Sequence, residues 1–171
     1  MAMVNWLRPR LQRMVTVLAV GALVLLTGLC EAGPAWAAVD VAKQVLIGAD
    51  YSQQDLRGAT FNLANLRDAT FRGSDLQGAS LFGAKLQDAD LSDTNLREAT
   101  LDSAVLTGTD LRNAVLEDAF AFNTKFNGVL IEGADFTNVP LRADALKALC
   151  IDAQGTNPVT GRNTRETLGC S

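Results

Sequence analysis

The sequence of 171 residues contains no histidine, only 1 tyrosine and only 3 cysteines. Histidine is the usual acid–base catalyst near neutral pH and the commonest metal ligand, so its absence argues against many hydrolytic and metal-dependent reactions. No phosphate-binding loop, nucleophile elbow or metal-ligand spacing is found in the sequence. We therefore predict that the chain is not an enzyme and that it holds neither a metal nor a cofactor.

The N-terminal region is basic and then apolar. Three arginines precede residues 14–29, a run of 16 residues without charge, and Ala35 and Ala37 then form a small-residue cleavage motif. This order is typical of a secretory signal peptide, so we predict that residues 1–37 are removed. One alternative is a retained membrane anchor, although a helix needs about 20 residues to span a bilayer. The other is lipid attachment at Cys30, which lacks the small residue expected before it.

Removing residues 1–37 lowers Lys+Arg from 15 to 12 and Asp+Glu from 19 to 18, which gives the remaining chain a net charge of −6. A negative surface disfavours nucleic acid and anionic membranes as partners. Cleavage also leaves no stable membrane anchor. Cys150 and Cys170 remain, and an even pair of cysteines in an exported chain predicts a disulfide.

Residues 49–138 repeat with a period of five. A large apolar residue marks the centre of each repeat, a small residue lies two positions earlier, and the other three positions are mostly polar. There are 18 repeats if Ala121, the one small centre, is included. The other centres are Tyr51, Leu56, Phe61, Leu66, Phe71, Leu76, Leu81, Leu86, Leu91, Leu96, Leu101, Leu106, Leu111, Leu116, Phe126, Ile131 and Phe136.

A period of five fits neither a strand, whose side chains repeat every 2 residues, nor a helix, which repeats every 3.6. A four-sided coil does fit, because one repeat per side keeps every fifth side chain pointing inward. Stacked coils pair by β-type hydrogen bonds about 4.8 Å apart. The pattern therefore predicts an all-β fold, a quadrilateral β-helix of about 4.5 coils.

The units Ala64-Asn65-Leu66-Arg67-Asp68 and Ala89-Asp90-Leu91-Ser92-Asp93 resemble the pentapeptide-repeat family. The resemblance implies that the coil is right-handed, and it implies no single activity. The tail from Cys150 to Cys170 is similar to that of pentapeptide-repeat proteins of the thylakoid lumen in cyanobacteria and chloroplasts. This second resemblance implies a lumenal location, with the periplasm as the alternative.

Two caps are expected at the ends of the coil. Residues 38–48 are predicted to form an N-terminal cap, with Val41, Val45 and Leu46 on the apolar face of a short helix or strand. Residues 139–171 are predicted to form a C-terminal helical cap that the disulfide closes. Its helices are placed at 140–150, starting at a proline, and at 164–169, starting with a capping box between Asn163 and Glu166.

Three phenylalanines lie beside repeat centres rather than on them. Phe82 and Phe122 each follow a centre and lie two coils apart on the same side, with Asp102 between them, and Phe120 lies next to Phe122. Either a bulge at Ala121 turns Phe120 or Phe122 inward, or the three form an apolar docking spot. A similar pair of readings applies to Asp88, Asp90 and Asp93, which form either a solvated face or a calcium site.

These features favour a non-catalytic interaction or scaffold module that binds an unidentified protein partner. One alternative makes Cys150–Cys170 a redox switch acted on by a thiol oxidoreductase, rather than a structural staple. A further alternative follows from the family resemblance, because some acidic members imitate duplex DNA and inhibit topoisomerases. The predicted export of this chain argues against that role.

Overall fold

The computed structural model describes residues 39–171, so the predicted signal peptide and its cleavage site lie outside the described residues. The described chain forms a coil in which each bridged residue pairs in parallel with the residue 20 positions later. The pairs run without interruption from Asp40 with Thr60 to Val115 with Asp135. Twenty residues per turn are four repeats of five, so the coil has four sides, as the sequence period predicted.

Each side of the coil contributes one bridged residue and then turns a corner. Two positions after each centre the backbone adopts a positive φ, from Lys43 to Asn138, with Asn123 as the exception. Glycine, aspartate and asparagine tolerate this left-handed conformation best, which explains their frequency at the corners. At Gly58 and Gly108, for example, φ is 67° and 74°.

Many aspartates of the repeats hold these corners together. At Asp50, Asp90 and Asp135 the carboxylate oxygen Oδ1 accepts a hydrogen bond of 2.9 Å from the backbone N–H two residues later. Such a bond stabilises a turn locally. The acidic composition of the repeats therefore has a structural cause as well as an effect on the surface charge.

The core fills the interior of the coil. Every repeat centre from Leu56 to Phe136 is buried, including Leu76, Leu96 and Leu116, and so are most of the small residues that precede them. Where the small residue is polar, its hydroxyl is satisfied by the backbone: Thr94 Oγ1 donates to the carbonyl of Leu91 at 2.6 Å. Burying an unpaired hydroxyl would be costly, so this bond allows threonine to replace alanine.

Aromatic side chains lie near both ends of the core. The rings of Tyr51 and Phe71 stack with centroids 5.1 Å apart, and Phe61 packs against both. Phe126 and Phe136 pair with centroids 6.3 Å apart. Wider rings thus fill the end coils, whereas leucines fill the middle ones.

The N-terminal cap predicted at residues 38–48 is wrong in its structure, since these residues already belong to the first coil. The Val41 N–H donates to the carbonyl of Thr60 at 2.9 Å, and the Leu46 N–H donates to that of Asn65 at 2.8 Å. Two repeats therefore precede Tyr51, and the coil is longer than 4.5 turns. The sequence signal was weak here because Val39 and Gln44 occupy positions where later repeats have small residues.

The C-terminal segment contains two helices, α1 at Ala143–Asp152 and α2 at Thr164–Thr167. Helix α1 begins three residues after the predicted start at Pro140, because Arg142 is still extended. Helix α2 is capped by Asn163, whose side chain accepts from the N–H of Arg165 at 3.0 Å. The predicted reciprocal bond from Glu166 is not among the hydrogen bonds of residues 39–171.

Candidate functional site

The disulfide joins the two helical parts of the C-terminal cap, residues 139–171. Cys150 lies in α1 and Cys170 follows α2, and their Cα atoms are 5.6 Å apart. Both residues are half-buried. The guanidinium of Arg165 donates to the carbonyls of Cys150 and Ser171, at 3.1 Å each, and so holds the two ends of this loop together.

A buried asparagine fastens the cap to the coil. The Asn157 Nδ2 atom lies within hydrogen-bonding distance of three backbone carbonyls, those of Gly133 at 2.8 Å, Asn113 at 3.0 Å and Ala114 at 3.3 Å. Its Oδ1 accepts from the N–H groups of Val159 and Thr160. Asn157 is fully buried and satisfies both its donors and its acceptor, so it fixes the position of the loop above the last coil.

Arg162 forms a second, charged attachment. Its Nη2 atom donates to Glu117 Oε1 at 2.8 Å, and its Nε lies 3.5 Å from Oδ2 of the buried Asp135. The hydrogen bond from Arg162 lowers the pKa of Glu117. Burial by itself raises the pKa of Asp135, but hydrogen bonds from Thr137 and Thr160 and the charge of Arg162 more than offset this, so the pKa is lowered.

Four exposed apolar side chains lie on one side of the coil, which we call the aromatic wall and define as residues 60–63, 80–83, 100–103 and 120–123. Within these ranges Asp102 is the only charged residue. The exposed fractions are 50% for Leu63, 44% for Phe82, 58% for Phe120 and 54% for Phe122. The structure thus brings together the three phenylalanines of the predicted docking spot, and it adds Leu63.

The alternative in which a bulge turns Phe120 or Phe122 inward does not apply. Thr100 pairs with Phe120 at the usual spacing of 20, and Ala121 is buried at the centre position. The corner beside it is nevertheless altered, since Asn123 lacks the positive φ of the other repeats. The Asn123 N–H instead donates to Oδ1 of Asp102 at 2.9 Å.

The three aspartates considered as a calcium site do not converge. Asp90 accepts from both the N–H and the hydroxyl of Ser92, and Asp93 accepts from Asn113 Nδ2 at 3.0 Å. Asp88 lies over Gly108. Within residues 39–171, no cluster of three or more acidic or cysteine side chains is arranged to hold a metal ion.

Asn157 and Arg162 were not singled out from the sequence, although they fix the cap. Both lie in a loop of turn-forming residues, where no periodicity indicates which side chains point inward. The extended arrangement of Asn157-Pro158 at a turn is the only local signal, and it predicts a turn without predicting a buried amide.

Comparison with known proteins agrees with this architecture. The family model for pentapeptide repeats matches residues 45–81 and 79–118, in 8 copies. The chain is also similar to a crystal structure of a pentapeptide repeat protein from the Arabidopsis thaliana thylakoid lumen, with 48% identity and a TM-score of 0.74. That match covers 75% of this chain and 90% of the other. The chain belongs to the pentapeptide repeat family, whose members fold as right-handed β-helices.

Two curated relatives are similar over shorter stretches. Thylakoid lumenal 15 kDa protein 1, chloroplastic, from Arabidopsis thaliana is 55% identical over 49 residues, which are 29% of this chain and 22% of that protein. Thylakoid lumenal protein TL20.3, chloroplastic, from the same plant is 51% identical over 43 residues, 25% of this chain and 15% of that protein. The matches span about a fifth of these relatives or less. In the part of the chain that the structure describes, neither helix is long and apolar enough to cross a membrane.

Proposed function

We propose that this protein is a non-catalytic interaction or scaffold protein of the thylakoid lumen. The location is supported by its relatives, which are lumenal proteins of chloroplasts. The interaction role is supported by the aromatic wall, where three exposed phenylalanines lie on a flat and nearly uncharged surface. Exposed aromatic side chains on a rigid surface are typical of protein-binding sites.

The absence of catalysis is supported by how the acidic side chains are used. Carboxylates that a sequence reader would consider for acid–base chemistry cap the corners of the coil, as at Asp50 and Asp110, or pair with arginines. Arg112 lowers the pKa of Asp110, although burial opposes it, so this carboxylate stays ionised. An ionised, paired carboxylate is a poor general acid at neutral pH.

Affinity capture from a thylakoid-lumen extract tests the proposal. We expect the wild-type protein to retain a specific partner and the double variant Phe82→Ser, Phe122→Ser to lose it. The matched control is Val45→Ser, Ile47→Ser, which removes two equally exposed apolar side chains from the adjacent side of the coil. Equal recovery of every protein by all three baits would rule out docking on the aromatic wall.

A second candidate function is redox regulation through Cys150 and Cys170. It is supported by the position of the disulfide, because both sulfur-bearing residues are half-buried at the surface and join the two helices of the cap. A lumenal thiol oxidoreductase whose resolving cysteine is replaced should trap the protein as a mixed disulfide. A purely structural staple would give no trapped complex.

A further inference from the structure

A groove of about 720 Å³ lies between the last coil and helix α1. Its floor is apolar, because Phe126, Val129, Ile131 and Leu149 are all buried side chains that line it. Its rim is polar, and Asn123 at one end of the groove directly follows Phe122 of the aromatic wall. The groove is therefore continuous with the surface that we propose for partner binding.

Main-chain hydrogen bonds connect each inner coil to the next in a fixed pattern. The Leu106 N–H donates to the carbonyl of Lys125 at 2.9 Å, and the Gly108 N–H donates to that of Asn127 at 2.9 Å. In return, the Lys125 N–H donates to the carbonyl of Ala104 at 3.0 Å. Each side of a coil thus presents two donors and one acceptor to the coil that follows it.

On the last coil the equivalent groups line the groove. They are the N–H groups of Phe126 and Gly128 and the carbonyl of Thr124, and none has a hydrogen-bond partner among residues 39–171. The residues that would continue the pairing, 145 and 147, belong to α1 and make no such bonds. This side of the coil therefore ends in an open β-edge.

The cap closes other parts of the same coil end. The Gly133 N–H donates to the carbonyl of Gln154 at 2.9 Å, and the Phe136 N–H donates to Thr167 Oγ1 at 3.1 Å. The open edge at residues 124–131 thus lies beside sides where the chain supplies its own partners. An unpaired edge is a template for another extended strand.

We propose that the groove binds an extended peptide segment of the partner protein, which pairs in parallel with residues 124–131 as one further strand of the coil. A polypeptide backbone is the ligand that offers both donors and acceptors in this register, and alternate side chains of an added strand would pack on the apolar floor. The inference rests on the proposed scaffold role and identifies the kind of partner segment that the protein would recognise.

A synthetic peptide with the sequence of residues 104–113 is a suitable probe, because that segment pairs with the coil below it in the same way. Shifted by two coils, its Val105 N–H would donate to the carbonyl of Thr124 and its Val105 carbonyl would accept from Phe126. Titration of the 15N-labelled protein should shift the amide signals of Phe126 and Gly128 first. No shift at millimolar peptide would overturn the proposal.

Two matched pairs of variants make the test specific. N-methylation of Val105 in the peptide should weaken binding at least tenfold, whereas N-methylation of Leu106, whose N–H points away from the edge, should not. In the protein, Ala148→Trp fills the groove and should abolish binding, whereas Ala143→Trp lies on the same helix outside the groove. Equal binding by all of these molecules would also overturn the proposal.

Other occupants of the groove would give different signals. Shifts of the same amides that depend on protein concentration without peptide would identify a second copy of the chain. Shifts that require residues 1–37 would identify that segment instead. Either result would overturn binding by a partner segment. Because the probe is synthetic and no lumen extract is used, failure here leaves capture on the aromatic wall as a separate question.

Discussion

Arg162 in the C-terminal cap donates a hydrogen bond to Glu117 in the coil, with Nη2 and Oε1 separated by 2.8 Å. Glu117 also accepts from Arg97 Nε at 3.2 Å, so a single carboxylate links two arginines that are 65 positions apart in the sequence. The cap is thereby tied to the side wall of the coil as well as to its open end.

This arrangement makes the attachment of the cap dependent on pH. The hydrogen bond from Arg162 lowers the pKa of Glu117 in the folded protein. Such a carboxylate contributes stability above its unfolded pKa of about 4.3, and the contribution is lost as the pH falls through the folded pKa. We expect the Tm difference between wild type and Arg162→Gln to be largest above about pH 5 and to shrink below about pH 4. Arg67→Gln, on another side of the coil, is the control, and a difference independent of pH would contradict the argument.

Replacing Asn157 with alanine should destabilise the protein by about 1–3 kcal/mol, because backbone carbonyls that Asn157 now satisfies would stay buried without a partner. The urea midpoint of unfolding measures this loss. Asn127→Ala, at an exposed corner of the last coil, should change the midpoint little. Similar midpoints for the two variants would show that the Asn157 side chain does not fix the cap.

The inward centres should be far more sensitive to truncation than the outward positions. Leu96→Ala leaves a cavity in a closed core and should cost about 2–5 kcal/mol. Leu63→Ala removes the same atoms from a half-exposed corner and should change the free energy of unfolding by about 0.5 kcal/mol or less. Chemical denaturation compares the two, and equal costs would contradict the inward orientation of the centres.

Loss of the disulfide should loosen the cap before the coil. The double variant Cys150→Ala, Cys170→Ala removes a cross-link between residues 20 positions apart, worth about 3 kcal/mol in the chain-entropy model. Limited proteolysis should therefore cut α1 while the coil keeps its β-type circular dichroism spectrum. The contacts of Asn157 and Arg162 remain in this variant. Complete unfolding at room temperature would show instead that the disulfide holds the entire fold.

The coil was predictable from sequence because one rule acts on every repeat. A side chain at every fifth position, such as Leu76 or Leu116, faces inward whatever its neighbours are, so the periodic pattern carries the architecture. The start of the coil was not predictable, since Gln44 and Gln54 break the small-residue position in the first turns. Once later coils are in place, main-chain pairing holds these irregular repeats in register.

The candidate sites were predictable only where they depend on the coil. The common side of Phe82 and Phe122 followed from their separation of 40 residues, which is two turns. The groove beside α1 did not follow, because its geometry depends on where the cap settles. That position is set by isolated contacts, such as those of Asn157, and a single buried amide leaves no periodic trace in a sequence.

The spacing of 20 residues between paired positions also restricts how such a chain can change in length. An insertion of 20 residues adds a full turn and leaves each downstream side chain above its former column. An insertion of five residues rotates everything downstream by a quarter turn, so Phe122 would move to the neighbouring side and away from Phe82. Length variants that preserve a surface of this kind must therefore grow or shrink by whole turns, much as a screw advances only by its pitch.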